Sequence, residues 1–251
     1  MIDMKVDGGI AVVTLSHGKV NALDIEFCTA LAAKFDELRA TDASAVVLTG
    51  QGGIFSAGVD LKRLSAGGAD YVRAFLPALH RLYDTVFFYP KPVIAAINGH
   101  AIAGGAVLAA CADRRVMAQG VGRIGVTELQ VGVPFPALAF EILRFAVPKR
   151  FVAEFTLGAA TYDTGVALQK SWTDEVVEPY ELLVRTMKIV RHYASLSPSA
   201  FAQTKAQIRQ GVVDRMALNA AATDKAVTAI WTAPETLQRV ADYVAKTLNK
   251  N

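Results

Sequence analysis

Two glycine-bearing turns, residues 55–62 (F-S-A-G-V-D-L-K) and 98–106 (N-G-H-A-I-A-G-G-A), offer the backbone chemistry that stands out in this chain. Each follows an apolar, strand-like run and leads toward a helix. The first N–H groups of a helix lack intrahelical partners, and the helix dipole leaves partial positive charge beside them. Two such donors aimed at one carbonyl oxygen would hold the charge that builds there when the neighbouring carbon loses a proton. Glycine turns after strands also serve as plain connections, so the pair alone leaves a purely structural role open. The side chains nearby add little. Ser56 lacks a G-x-S-x-G context and reads as a loop hydroxyl, not a nucleophile. His100 beside the second turn reads as structural or solvent-facing. His17, His80 and His192 lack metal-ligand spacing, so no metal is expected. Lys19 and Lys62 could meet phosphates, although a solvated surface is the default for lysine.

The elements that would position these turns are legible from periodicity. Residues 92–97 (P-V-I-A-A-I) form a continuous apolar run with β-branched members, as expected of a strand buried on both faces. A second small-residue run, 106–112, favours helix after the Gly104-Gly105 pair. Upstream, 9–16 and 45–49 read as strands, and 24–39 as a helix with Ile25, Cys28, Leu31, Ala32, Phe35 and Leu38 on one stripe. Helix is expected again over 71–89. This alternation implies a largely parallel sheet covered by helices, with both glycine turns at one edge of that sheet. Short strands follow at 115–118 and 123–125, with Glu128 just beyond. Helices are expected at 134–147, 149–157, 181–195, 198–211, 216–232 and 234–249, the last of them packing as a separate helical lobe.

Composition limits the classes of function. With 251 residues, 53% of them hydrophobic, the chain can bury a large core, most simply one domain with an appendage. The 26 basic and 23 acidic residues are interspersed, so no nucleic-acid footprint is expected. Residues 92–112 contain no Asp, Glu, Lys or Arg and approach the length of a membrane span, yet Asn98, His100 and their glycines interrupt them and Ala supplies little transfer energy. A soluble protein is expected. Cys28 and Cys111 sit in apolar helical contexts without a signal peptide ahead of them, which suggests buried thiols in a reducing cytoplasm.

Three stretches together, F-S-A-G-V-D-L at 55–61, residues 91–113 and I-G-x-x-E-x-x-x-G-x-x-P at 124–134, resemble the crotonase, or enoyl-CoA hydratase/isomerase, superfamily. The similarity also takes in V-N-A-L at 20–23 and D-E-V-V at 174–177. It implies an α/β crotonase (ClpP-like) spiral of β-β-α units over 1–195, followed by a C-terminal helical trimerisation lobe over 196–251. The strand-helix alternation read above would then be topologically too simple. The resemblance further implies an acyl-CoA thioester substrate, a homotrimer or hexamer, and no cofactor beyond the coenzyme A carried by the substrate. Carried over position by position, the oxyanion hole falls on the backbone N–H groups of Val59 and Gly104, and the catalytic carboxylate on Glu128. Substrate contacts are expected from Ser56, Ala57, Asp60, Leu61, Lys62, Gly105 and Val107. Phe135, Phe140, Trp231 and the apolar face near Leu248 either line the acyl tunnel or fill the core.

Hydratases of the superfamily carry a second glutamate, at the position of Val107. Hydration needs one water held and split between paired acids, and valine neither donates nor accepts a hydrogen bond. Moving a double bond from C3 to C2 needs only one base, so the pattern is most similar to Δ3,Δ2-enoyl-CoA isomerases. A hydratase or other crotonase-type lyase, and a non-catalytic acyl-CoA-binding protein, are the alternatives. The dienoyl-CoA isomerase pattern, with an extra carboxylate soon after Glu128, is missing, since 129–140 contain no Asp or Glu. Ser171-Trp172-Thr173 departs from the Gly-Leu-Val common in the superfamily.

Overall fold

The computed structural model describes residues 1–248. The chain begins with a hairpin, β1 (Ile2–Asp7) antiparallel to β2 (Ile10–Leu15), and continues into helix α1 (Ile25–Arg39), whose N-terminus is capped by the Asp24 carboxylate. A unit then repeats three times. Strand β3 (Ala45–Gly50) leads to β4 (Ile54–Ser56) and helix α2 (Leu61–Phe87). Strand β5 (Val93–Ile97) leads to β6 (His100–Ile102) and α3 (Gly104–Ala110). Strand β7 (Arg114–Ala118) leads to β8 (Ile124–Gly125), a short 3-10 turn over Glu128–Val131 and α4 (Ala137–Ala146). Next come α5 (Lys149–Leu157), β9 (Thr161–Tyr162), α6 (Thr164–Gln169), β10 (Glu175–Val177), α7 (Leu182–Ala194), α8 (Pro198–Trp231) and α9 (Pro234–Tyr243).

In each repeat the first strand joins a six-stranded sheet, ordered β1-β2-β3-β5-β7-β10, and the second joins a four-stranded sheet, ordered β4-β6-β8-β9. This is the β-β-α spiral, and it corrects the simple alternation of one strand with one helix. Strands β4, β6 and β8 are two or three residues long, too short to show a period-2 pattern in the sequence. The two glycine turns therefore follow β4 and β6, adjacent parallel strands of the smaller sheet, and not strands of the large one.

The central strands β3 and β5 of the large sheet are buried on both faces, as their apolar runs require. Along β3, Val46 and Leu48 belong to the main apolar cluster, whereas Ala45 and Val47 face a second cluster built with Met187, Ile189 and Val190 of α7. The sequence-expected break near Gly211 does not occur: α8 runs unbroken through it. One glycine costs only about 1 kcal/mol in a helix. Here Val212 is fully buried and Arg215 Nε donates to Glu141 at 2.7 Å. Helix α2 begins ten residues earlier than periodicity predicts, capped by Asp60 and kinked at Gly68 (φ 59°). Val212, Val227, Trp231, Val240 and Val244 join the main cluster, so the C-terminal helices share the core of the spiral. The end of the expected last helix at Asn249, and the Leu248 side chain, lie outside the described residues. No described helix is long and apolar enough to cross a membrane.

Candidate active site

The loop carrying Val59 is held by a short parallel bridge to the segment before α1. Leu23 N–H donates to Gly58 O (2.7 Å), and Asp60 N–H donates to Leu23 O (3.0 Å). Successive amides of extended chain point to opposite sides, so Val59 N–H is turned away from Leu23. It donates to no other group among the described residues, and neither does Gly104 N–H at the start of α3. The two turns touch. A Cβ on Gly58, whose φ is +80°, would lie 2.9 Å from Gly104 N and 2.6 Å from Ile102 O. Glycine at 58 is what lets two free N–H groups from successive spiral turns approach each other.

The support behind these donors is polar and satisfied. Ser56 is fully buried; its hydroxyl donates to Asn21 O (2.7 Å) and accepts from Gly58 N–H (3.2 Å). A Cβ on Gly105 would sit 2.3 Å from Ser56 O, so this glycine lets α3 dock on β4. Tyr83 of α2 donates its hydroxyl to Gly104 O at 2.9 Å and fixes the first turn of α3. Ala103, just before that turn, has φ 50° and ψ −125°. A non-glycine residue held there costs of the order of 1–3 kcal/mol, which the packing around it must offset.

Val59 and Ala103, the neighbour of Gly104, line a cavity of about 520 Å³. One side is formed by Lys19, Val20 and Ala22 after β2, with Ala57, Val59, Asp60, Leu61 and Lys62 of the first turn. Ile102, Ala103, Thr127, Glu128, Val131 and Val133 form the floor, and Trp231 and Tyr243 of the C-terminal helices close it. An ion-pair network ties the Lys19 loop to α2. Asp24 caps α1, accepts from Arg63 Nη1 at 2.9 Å and lies 2.7 Å from His17 Nε2. Burial alone would raise the Asp24 carboxyl, but the Phe27 amide, His17 and Arg63 outweigh it and hold it below the usual range.

Glu128 is the buried acid of the cavity, 7% exposed at the first position of its 3-10 turn. Among the described residues its Oε2 has no hydrogen-bond partner. Burial pushes the carboxyl up to about 7, against the smaller opposing pull of the Glu128 and Thr127 backbone amides. A carboxyl so placed can take up and release a proton near neutrality. Asp60, the other acid lining the cavity among the described residues, caps α2 by accepting from Arg63 N–H.

The expected contact residues separate into groups. Ala57, Val59, Asp60, Leu61, Lys62 and Glu128 line the cavity. Ser56, Gly104, Gly105 and Val107 lie buried behind its wall. Phe135 lines a different depression of about 210 Å³ with Phe140, Glu141 and Arg215. His17 is in the ion-pair network, and His100 is half-buried in β6. Sequence reasoning passed over Tyr83, Ile102, Thr127, Val131, Val133 and Tyr243. These are ordinary members of apolar or amphipathic stretches, and only the fold gives them a place.

The sequence model described as enoyl-CoA hydratase/isomerase matches residues 5–243. A putative enoyl-CoA hydratase of Thermus thermophilus is 34% identical over 203 residues, 79% of each chain. Human mitochondrial enoyl-CoA delta isomerase 1 is 26% identical over 220 residues, 86% of this chain and 72% of that protein. The crystal structure of human mitochondrial delta3-delta2-enoyl-CoA isomerase superposes with a TM-score of 0.94 at 22% identity, covering 100% of this chain and 99% of the other, which shows the shared fold.

Proposed function

The chain belongs to the enoyl-CoA hydratase/isomerase family, and on that premise we propose that it is a Δ3,Δ2-enoyl-CoA isomerase with Glu128 as its single base. The observation that carries this reading is the isolation of Glu128. It is a buried acid with an unpartnered oxygen, and α3 (G-G-A-V-L-A-A), which supplies the Gly104 N–H, has no side chain able to hydrogen-bond a water. In the proposed reaction the thioester oxygen accepts from Val59 and Gly104 N–H. The Glu128 carboxylate removes a proton from C2, and the electron pair moves into a dienolate whose charge rests on that oxygen. Protonated Glu128 then returns the proton at C4, leaving the double bond between C2 and C3. A carboxyl near 7 is matched to both halves of this shuttle, and exclusion of water protects the intermediate.

Along the mouth, the segment from Ala57 to Lys62 borders the CoA moiety, with Lys62 and Lys19 within reach of its phosphates. Ser56 and Gly105 act from behind by holding the two turns together. Coenzyme A enters as part of the substrate, and no further cofactor is required. A homotrimer or a dimer of trimers is the proposed assembly.

Hydration is the second reading, favoured by the naming of the Thermus relative. It needs a second group on the attacking water, and Val107 stands where that group would be. Incubating the protein with 3-enoyl-CoA and 2-enoyl-CoA thioesters separates the two. Conversion of the 3-enoyl to the 2-enoyl thioester, with little hydroxyacyl product, is expected. Hydration of the 2-enoyl thioester at a matching rate would overturn the isomerase assignment.

A further inference from the structure

Behind the candidate active site lies a second cavity of about 410 Å³, between α2, α4 and α8. Two stretches of chain wall both spaces in succession. The strip after Glu128 contributes Val131 and Val133 to the first cavity and Pro136 to the second. The last turns of α8 contribute Val227 and Thr228 to the second cavity and Trp231 to the first. Trp231 lies one helical turn from Val227, on the same face of α8. Where the two stretches meet, its indole Nε1–H donates to Pro134 O at 2.8 Å, and the side chain is 2% exposed. A buried indole N–H is costly to leave unpaired, so this bond holds the ring in one orientation.

We propose that Trp231 is the specificity-determining residue for acyl length: its ring separates the two cavities, ends the acyl site, and restricts the substrate class to short-chain enoyl thioesters. This rests on the acyl-CoA reading of the site. Of the polar residues lining the first cavity, Lys19, Asp60 and Lys62 belong to the loops at its mouth and Thr127 and Glu128 to the proposed reacting centre, whereas Val131 and Val133, next along the chain, and Trp231 are apolar. The acyl tail therefore points toward Trp231. Beyond the ring, the second cavity offers Leu76, Pro77, Pro136 and Val227 as apolar wall, beside the polar Arg73, His80, Asp224 and Thr228. Removing the ring would join the two spaces and let a longer tail pass.

The test uses saturated hexanoyl-CoA and dodecanoyl-CoA, which have no double bond to move, so binding is read apart from the reaction. A single methylene in an apolar pocket is worth roughly 10–200-fold in discrimination. Titration calorimetry should show wild type preferring the hexanoyl thioester by at least about tenfold. Trp231→Ala should shift that ratio toward dodecanoyl by at least about tenfold, and Trp231→Phe by less. Should Trp231→Ala fail to fold, Trp231→Leu is judged by the same ratio. Val227→Phe, which narrows only the second cavity, should leave the wild-type ratio unchanged. Equal or tighter binding of dodecanoyl-CoA by wild type, or an unchanged ratio in a folded Ala or Leu variant, would overturn the proposal. If the ratios follow expectation while 3-hexenoyl-CoA is not isomerised, the separating role of Trp231 stands and the assigned reaction fails.

Discussion

Two carboxylates in this chain have opposite surroundings. Asp113, half-buried just before β7, is fully engaged. Its Oδ2 accepts from Lys205 Nζ (2.7 Å) and Val93 N–H (2.8 Å), and its Oδ1 from Arg209 Nη2 (2.8 Å). Lys205 also donates to Lys91 O, and the Arg209 guanidinium lies 4.2 Å from the centroid of the Phe87 ring. Among the described residues Glu128 makes no ion pair and leaves Oε2 unpartnered. The first arrangement fastens α8 to the spiral; the second leaves a carboxyl free to exchange a proton. Both are largely withdrawn from water, and pairing separates the structural charge from the one proposed to react.

The largest expected effect falls on the reactive side. Glu128→Gln keeps shape and loses the base, so isomerisation should drop about 10²–10⁴-fold while acyl-CoA binding changes little. Activity within about threefold of wild type would remove Glu128 from the mechanism. On the structural side, Asp113→Asn leaves two buried cations without a counter-charge and should cost about 3–5 kcal/mol, read as a lower urea midpoint. An unchanged midpoint would mean the cluster is not what fastens α8.

The same glutamate should also cost the protein stability. Its folded-state pKa of about 7 lies above the ordinary 4.5, so folding favours the neutral acid. That contribution is complete below about pH 4.5 and is lost as pH rises through about 7. Glu128→Gln should therefore be more stable than wild type above pH 7, by about 3 kcal/mol, with the gain vanishing in acid. The kcat/KM of wild type should show the opposite sign, rising through an apparent pKa near 7 as the carboxylate forms. A flat profile from pH 5 to 9 would contradict the assigned base. The smallest effect tests the missing partner: Val107→Glu should cost about 1–3 kcal/mol and add measurable hydration of 2-enoyl-CoA. A folded variant without hydration would show that position 107 does not face the reacting carbon.

Some of this was legible in the sequence, for physical reasons. The run at residues 92–97 is apolar throughout because both faces of β5 are covered, and the glycines at 58 and 105 mark places where backbone meets backbone, while a Cβ at 104 would meet the Tyr83 hydroxyl. Gly58 and the 103–104 step do lie at turns, but the stretches 55–62 and 98–106 read as loops hold part of β4 and all of β6, strands too short to carry a pattern. Gly211 looked like a break because propensity is local, whereas buried Val212 and the Arg215–Glu141 pair hold α8 straight through tertiary contact. Edge strand β1 escaped notice although I-D-M-K-V-D alternates, its side chains being largely exposed. Tyr83 and Tyr243 carried no signal, because which aromatic of a stripe reaches the site depends on how helices pack.

That Trp231 and Tyr243 close the cavity has a consequence for the order in which the protein is made. The glycine turns and Glu128 leave the ribosome before the helices that cover them. A nascent chain halted before α8 would hold its carboxyl in water, where the acid is ordinary and an enolate is quenched. On the proposed mechanism, competence then depends on synthesis reaching α8 and α9, and a chain released before them carries Glu128 and the two turns without the Trp231 and Tyr243 walls of the cavity.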